Sequence, residues 1–212
     1  MYPNSASEGR VFYCLFWQSY FSISSYTLSM GSRYDAISTD HQTFIQAQHM
    51  FFVATAASDG NVNLSPKGMD SLRVVSPNRV IWLNSTGSGN ETAAHLLENP
   101  RMTIMLCAFE GKPLILRLYG NARAIHPRDS DWLEFSALLP EISGARQIFE
   151  MQVNMVQTSC GMAVPFMDFK AERKELSQHW EKLDAVGLED YWRRKNTVSI
   201  DGKATKIFES ET

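Results

Sequence analysis

The sequence lacks several features that identify common classes of protein. Its cysteines, Cys14, Cys107 and Cys160, are widely separated and form no CxxC pair, which argues against a disulfide framework and a structural zinc site. The 20 Lys and Arg residues do not outnumber the 23 Asp and Glu residues, so no excess of positive charge predicts nucleic-acid binding. No apolar run is long enough to span a bilayer. We therefore expect an intracellular protein, cytoplasmic or nuclear, with neither nucleic acid nor membrane as its partner.

Aromatic residues are concentrated at the start of the chain. Eight of the 24 lie within the first 29 positions, beside only two charged residues, Glu8 and Arg10. The stretch VFYCLFWQSYFSISSY has some signal-peptide character, but Gln18 interrupts it and no clear small-x-small cleavage site is present. We interpret residues 1–29 as a disordered or non-native leader, with Met30 as an alternative start. Residues 30–212 are then expected to form one domain.

Beyond the leader, short apolar runs alternate with turn residues. Asp59-Gly60, Pro77-Asn78 and the segment EGKP each separate two apolar runs, which is typical of β-hairpins. With FEMQVNMVQTS, these runs amount to about six strands, and the links between most of them are too short for parallel crossovers. Helices are expected at 39–48 after a Ser38 cap, over ETAAHLLE, from Asp129 to 139, and within 170–196. The pattern predicts a mainly β (α+β) fold: a small antiparallel barrel with peripheral helices.

The segment STGSGNET, residues 85–92, is the first candidate for a binding site. Two glycines allow close approach of the backbone to a ligand, and the hydroxyls and first N–H groups of the following helix are donors. Such a helix start suits a phosphate. The segment matches neither the P-loop nor the GxGxxG pattern, and Glu91 would repel a phosphate. An ordinary surface loop is therefore the alternative interpretation.

Two further segments carry polar groups at strand ends. In SPKG, Pro66 and Gly68 would hold Lys67 at the end of a strand, where its ammonium group meets a phosphate or an anionic ring; a solvated lysine in a turn is the alternative. In QTSCG, Cys160 is either a nucleophile or a packing residue, and its neighbours are better suited to hydrogen bonding. The five histidines show no metal-ligand spacing. No side chain identifies itself as a catalytic acid or base, so catalytic residues stay unknown and no metal is expected.

An ordered set of segments resembles a known family. Met30 to Asp201 is similar to the pyridoxamine 5′-phosphate oxidase-like split barrels that bind flavin mononucleotide (FMN). The matching segments are AQHMFFVATA, VNLSPKG, VIWLNSTGSGNETAAHLLENPRMT, CAFEG, LRLYGNARAI, VQTSCGMAVPF and YWRRKNTVSIDG. The resemblance implies a six-stranded antiparallel split β-barrel, a homodimer, and one FMN at each subunit interface.

The resemblance also implies roles for individual residues. Ser65 and Lys67 would face the flavin, and a positive charge near its ring would favour the anionic reduced form. Beside the ring and ribityl chain would lie Asn84, Ser85 and Thr86. The turn around the phosphate would be formed by Ser88, Asn90, Glu91 and Thr92. The ring would be covered, mainly from the other subunit, by Gln157, Thr158, Ser159, Lys195 and Asn196.

Two departures from the family affect the functional prediction. Vitamin B6 oxidases of this family carry a basic pair where this chain has Glu91 and Thr92, and an Arg-x-His substrate motif that this chain lacks. Without that cationic motif, a phosphorylated pyridoxine substrate loses its charge-assisted contacts. We therefore expect an FMN-dependent oxidoreductase acting on an undetermined small molecule. The alternatives are a genuine pyridoxamine 5′-phosphate oxidase and a non-catalytic flavin- or haem-binding protein.

Overall fold

The computed structural model describes residues 31–209, so the interpretation of 1–29 as a leader concerns residues outside the described part of the chain. Eight strands and five helices form that part. The strands are β1 (Ser32–Tyr34), β2 (Phe51–Thr55), β3 (Asn63–Lys67), β4 (Leu72–Ser76), β5 (Arg79–Ser85), β6 (Arg101–Cys107), β7 (Ile115–Ile125) and β8 (Ala145–Ser159). The helices are α1 (Thr39–Gln46), α2 (Glu91–Glu98), α3 (Trp132–Ser136), α4 (Glu175–Trp180) and α5 (Ala185–Lys195).

All of these strands belong to one antiparallel sheet. Its order is β3-β2-β6-β7-β8-β5-β4, and β1 pairs with β8 outside this path. Residues 68–71 connect the edge strands β3 and β4, and the five Cα–Cα steps from Lys67 to Leu72 span at most about 18 Å. The sheet must therefore curl until its two edges approach each other, which produces a barrel that is split between β3 and β4. The expected mainly antiparallel fold with peripheral helices is confirmed.

The expected number of six strands is too low. The described residues contain eight strands: the two runs of each expected hairpin and the segment FEMQVNMVQTS account for seven, and β1 adds a short strand, Ser32–Tyr34, beside β8. With only three residues, β1 has no apolar alternation to reveal it in the sequence.

The three expected hairpins are all present. β2 pairs with β3 around Gly60, whose φ of +89° suits glycine. β4 pairs with β5 around Pro77 and Asn78, and the Asn78 side-chain amide donates to the carbonyl oxygens of Asp35 at 2.6 Å and Val153 at 3.1 Å. β6 pairs with β7 across EGKP. These turns set the register that brings β3, β5 and β8 to a common end of the barrel.

The core lies inside the curled sheet and beneath α1 and α2. Trp82 and Phe149 stack with ring centroids 4.6 Å apart, and both are fully buried. A second apolar cluster packs α3 against the outer face of β5 and β8, with Phe135 and Ile148 at its centre. Burial of this apolar area is the main stabilising term for the barrel.

The helices differ from expectation mainly at their ends. Ser38 caps α1 as expected, since its hydroxyl accepts the His41 N–H at 3.2 Å, but the helix ends at Gln46. α3 spans only Trp132–Ser136, so the expected helix from Asp129 to 139 is too long. The reason is that Asp129 closes a turn by accepting the His126 N–H at 2.7 Å. The charged segment expected to be helical within 170–196 contains two helices, α4 and α5.

None of the helices described between residues 31 and 209 is long and apolar enough to cross a membrane.

Candidate functional site

The candidate site is a cavity of about 270 Å³ where the start of α2 meets β3, β5 and the start of β8. Its polar lining distinguishes it from the apolar core. The lining consists of Asn63, Ser65, Lys67, Asn84, Ser85, Gly87, Ser88, Gly89, Asn90, Glu91, Thr92 and Arg146. Of the residues expected at the site, the structure brings together Ser65, Lys67, Asn84, Ser85, Ser88, Asn90, Glu91 and Thr92.

Strand β3 supplies one wall of the cavity. Its residues alternate in exposure, so Asn63, Ser65 and Lys67 turn toward the cavity while Leu64 and Pro66 face outward. This follows from the two-residue period of a strand. The polar side of β3 is therefore the inner side, and the apolar Leu64 is 64% exposed.

Lys67 is a half-buried cation at the end of β3. Its ammonium nitrogen lies 5.3 Å from the centroid of the Trp82 ring, within the range of a cation–π contact. Burial, together with the nearby charge of Arg146, lowers the pKa of Lys67 to about 8. The protein thus holds an ammonium group whose charge is costly at this position.

A hydrogen-bonded network orders the side chains beside Lys67. Ser65 Oγ donates to Asn63 Oδ1 at 2.9 Å, and the Asn63 amide nitrogen donates to Thr92 Oγ1 at 3.1 Å and Thr55 Oγ1 at 3.2 Å. Thr55 continues the chain to the buried His95 Nδ1 at 3.2 Å. Because Thr92 accepts the bond from Asn63, its own hydroxyl proton is not used in that contact.

The first turn of α2 closes the cavity on another side. Asn90 precedes the helix but does not cap it with its side chain. Instead the buried Asn90 amide oxygen accepts a hydrogen bond from Gln147 Nε2 at 2.7 Å. The first N–H groups of the helix are therefore not capped by Asn90, and the positive end of the helix dipole points toward the cavity.

Glu91 in this first turn interacts with the C-terminal segment. Both of its carboxylate oxygens accept the Ile200 N–H, at 3.2 and 3.0 Å. The same segment is fastened by Asp201, which accepts the Asn61 N–H at 2.8 Å, and by Lys203, which bridges Asp59 at 2.5 Å and Glu98 at 2.8 Å. These contacts tie residues 200–203 across the start of α2 and the β2–β3 turn.

Thr86 and Asn196 support the site from behind rather than line it. Thr86 is fully buried; its hydroxyl donates to the Gly144 carbonyl oxygen and accepts the Trp192 indole N–H, both at 2.7 Å. The Asn196 amide donates to the Gly87 carbonyl oxygen of its own chain at 3.1 Å. These two residues position the loop that precedes α2. Lys195 is exposed at the end of α5.

Gln157, Thr158 and Ser159 lie at the far end of β8 from this cavity. Arg146 and Gln157 are 11 positions apart on that strand, roughly 36 Å of contour length at 3.3 Å per residue. Tyr119 Oη donates to Gln157 Oε1 at 3.1 Å, Arg117 Nη1 donates to Ser159 Oγ at 3.0 Å, and Thr158 pairs with Ser32. Within one chain these residues and the cavity are not brought together.

No pattern in the sequence predicted Arg146 or Asn63 as part of the site. Arg146 lines the cavity although only 3% of it is exposed. The strand was expected to begin at Phe149, whereas β8 begins at Ala145, so Arg146 fell outside any expected element. A single arginine ahead of an apolar run, in the segment ARQIF, is the only signal that the sequence carries for it.

A second cavity of about 220 Å³ lies on the other side of Gly68, between α1 and residues 68–74. Met69 and Asp70 there adopt positive φ angles of 62° and 52°. Its one arginine, Arg73, forms a two-pronged ion pair with Asp70, at 2.8 and 2.7 Å. Since that charge is already neutralised, this cavity offers no comparable binding groups.

The described residues include two free cysteines, the buried Cys107 and the exposed Cys160. Within 31–209 no group of three or more His, Cys, Asp or Glu side chains is placed to hold a metal ion. Cys107 is buried, and that burial raises the pKa of its thiol. A raised thiol pKa disfavours the nucleophilic thiolate.

The fold and site define a class: a split antiparallel barrel with a polar cavity, containing Lys67 and Arg146, at the start of its second helix. Comparison with known proteins agrees, since residues 37–160 match the family model described as pyridoxamine 5′-phosphate oxidase. The chain is also 35% identical over 187 residues to the pyridoxamine 5′-phosphate oxidase family protein ustO of Aspergillus flavus, covering 80% of this chain and 75% of that protein. The chain belongs to the pyridoxamine 5′-phosphate oxidase family.

Solved structures with a similar arrangement share little sequence with it. HutZ, the haem storage protein of Vibrio cholerae, is 17% identical with a TM-score of 0.44, over 59% of this chain and 97% of that one. The FAD-binding protein of Mycobacterium smegmatis is 11% identical with a TM-score of 0.44, over 58% of this chain and 95% of that one. HupZ of Group A Streptococcus is 17% identical with a TM-score of 0.45, over 56% of this chain and 91% of that one.

Proposed function

We propose that the protein is an FMN-dependent oxidoreductase that acts on a small molecule. The observation that carries this proposal is the polar cavity itself, in which the half-buried Lys67 faces the positive end of α2. Two sources of positive potential in one cavity favour a ligand with a phosphate and an electron-rich ring. FMN has both groups, and family membership supports the choice.

The residues present fit this cofactor. Gly87 leaves room beside the backbone, since a Cβ there would meet no atom within 4 Å, whereas a Cβ at Gly89 would lie 2.8 Å from Glu91 Oε1. Ser85, Ser88 and Thr92 supply hydroxyl donors for a phosphate at the helix start. The Lys67 ammonium would hold the negative charge of the reduced ring. When bound, the flavin supplies the hydride or electron transfer, and the protein supplies orientation and electrostatics.

The proposed working form is a homodimer in which each site is completed by the other subunit. Support comes from three exposed apolar residues near the cavity: Leu64 on β3 (64%), Val62 just before that strand (73%) and Ile200 (79%). Grouped exposed apolar residues favour a protein partner. Gln157, Thr158 and Ser159, which lie too far along β8 to reach the cavity of their own chain, would then approach the cofactor from the second copy.

Absorbance and thermal unfolding test the proposal. Addition of FMN to ligand-free protein at about 100 times Kd is expected to stabilise it by roughly 2.7 kcal/mol and to raise Tm by roughly 5–10 °C. Protein purified from cells should also carry a flavin spectrum, with FMN released on denaturation. A colourless protein whose Tm does not respond to FMN would contradict the proposal.

Turnover separates the substrate alternatives. Because the chain has no Arg-x-His motif, pyridoxamine 5′-phosphate in air should yield little pyridoxal phosphate. Rapid formation of that product would instead identify a genuine pyridoxamine 5′-phosphate oxidase with different substrate residues. If no donor in a panel reduces the bound flavin, the result would favour a binding protein without turnover.

A further inference from the structure

Arg146 is a buried cation with no carboxylate partner. Only 3% of the residue is exposed, Nη1 donates to the Gly89 carbonyl oxygen at 3.1 Å, and Nε is buried without a hydrogen-bond partner. None of the ion pairs formed among residues 31–209 includes it. Burial of a charge without a counterion is strongly unfavourable. A site that retains such a group is expected to bind a ligand whose negative charge offsets the unfavourable burial.

The backbone at Arg146 is irregular in a way that directs its side chain. Asn84 pairs with Gln147 and Ser85 pairs with Ala145, so Arg146 is the extra residue of a β-bulge in β8. Bulges redirect side chains and are frequent beside functional sites. Here the bulge lies where Arg146 lines the cavity, together with residues from the end of β5 and the start of α2.

The charges around Arg146 also favour an anion. The Lys67 ammonium group shares the cavity, and the charge of Arg146 contributes to the lowered pKa of that lysine. The start of α2 adds its dipole. The opposing charge, Glu91, is engaged by the Ile200 N–H. A phosphate monoester would neutralise both cations, and its oxygens would accept hydrogen bonds from both sides of the cavity.

We propose that Arg146 binds the phosphate of the flavin and thereby makes the site selective for FMN over riboflavin. The inference rests on the proposed function and deepens it. The family's basic pair in the phosphate turn is replaced here by Glu91 and Thr92, and Arg146 supplies the missing positive charge from β8 instead. The guanidinium has five donors in a planar fork, of which one contacts Gly89, so it retains donors for phosphate oxygens.

The test compares FMN with riboflavin, which differ by the phosphate alone. Dissociation constants of both flavins would be measured by fluorescence quenching for wild type, Arg146→Met and Arg146→Lys. In Arg146→Met the preference for FMN should fall roughly 10- to 100-fold, the effect of losing charge-assisted hydrogen bonds, while riboflavin affinity stays unchanged. The preference of Arg146→Lys for FMN should lie between those of wild type and Arg146→Met, because lysine keeps the positive charge but lacks the planar fork of donors. Arg101→Met, which removes an exposed arginine bonded to Asn99, should keep the wild-type preference.

A ligand-free measurement supplies a second readout. Without flavin, Arg146→Met should have a higher Tm than wild type, because the uncompensated buried charge is gone. If Arg146→Met does not fold, Arg146→Lys carries the comparison and must lose at least about fivefold in preference. Flavin binding with an unchanged preference would overturn the role of Arg146 alone. Failure of wild type to bind either flavin would overturn the proposed function and this inference with it.

Discussion

At the scale of single residues, the cavity holds charge at the expense of stability. Lys67 and Arg146 are both buried enough for their pKa values to fall, to about 8 and about 10 respectively. Burial is the main cause in each case, and their mutual proximity adds to it at Lys67. Residues kept in this unfavourable state are candidates for function, since binding sites commonly trade stability for activity.

The titration of Lys67 gives a prediction about the pH dependence of stability. The folded protein lowers the pKa of Lys67 to about 8, whereas the unfolded chain keeps it near 10.4. Between these values the unfolded state binds more protons, so stability rises with pH across this window. The free energy of unfolding of Lys67→Met should therefore exceed that of wild type by on the order of 2 kcal/mol at pH 7. This difference should shrink toward pH 10. Urea titrations of the ligand-free proteins at several pH values measure it.

Lys203→Met provides the matched control for this prediction. Ion pairs with Asp59 and Glu98 raise the pKa of Lys203 to about 12, so its charge stabilises the fold, and this contribution is complete below pH 10. Its removal should lower stability at pH 7, the opposite sign. A pH-independent difference between wild type and Lys67→Met would show that the ammonium of Lys67 is not destabilised in the folded protein.

At the scale of secondary-structure elements, the long pairing of β7 with β8 organises the barrel. The register shifts between Tyr119 and Gly120, where the sheet bends. Gly120 permits this bend, because an added Cβ would lie 1.9 Å from the Gln152 carbonyl oxygen. The neighbour is backbone, which cannot rotate away as the end of a side chain could.

Gly120→Ala should consequently destabilise the protein by about 3 kcal/mol, the upper range for inserting an atom into a packed site. Gly87→Ala is the control, since its Cβ would meet no atom within 4 Å. Chemical denaturation followed by tryptophan fluorescence distinguishes them. Equal stability of the two variants would mean that the β7–β8 bend is not restricted at Gly120.

At the scale of the whole molecule, the proposed homodimer would use the outward face of β3. Leu64→Glu places a charge on this face and should convert a dimer to a monomer, because an unpaired charge at an apolar interface is costly. Sedimentation velocity measures the change, and the FMN-induced shift in Tm should decrease with it. Leu133→Glu alters a leucine that is 79% exposed on α3 and should leave the assembly unchanged. Dimers that persist in Leu64→Glu would place the interface elsewhere.

Elements with strong local signals could be predicted from the sequence alone. The Asp59-Gly60 turn, the Ser38 cap and the donor-rich start of α2 depend on residues within a few positions of each other, so their conformations can be inferred without the fold. The same local rules overestimated α3, because they could not tell that Asp129 bonds the His126 N–H in a turn. The family resemblance then identified most of the polar residues that line the cavity.

Only the tertiary structure decided how side chains from distant segments are used. Thr86 and Asn196 lie behind the loop that precedes α2, because Thr86 accepts a hydrogen bond from Trp192 and Asn196 donates one to Gly87. Arg146 enters the cavity because a bulge in the pairing of β5 with β8 directs it there. Such contacts join residues more than 50 positions apart, and their geometry depends on strand register, which a single sequence does not encode locally.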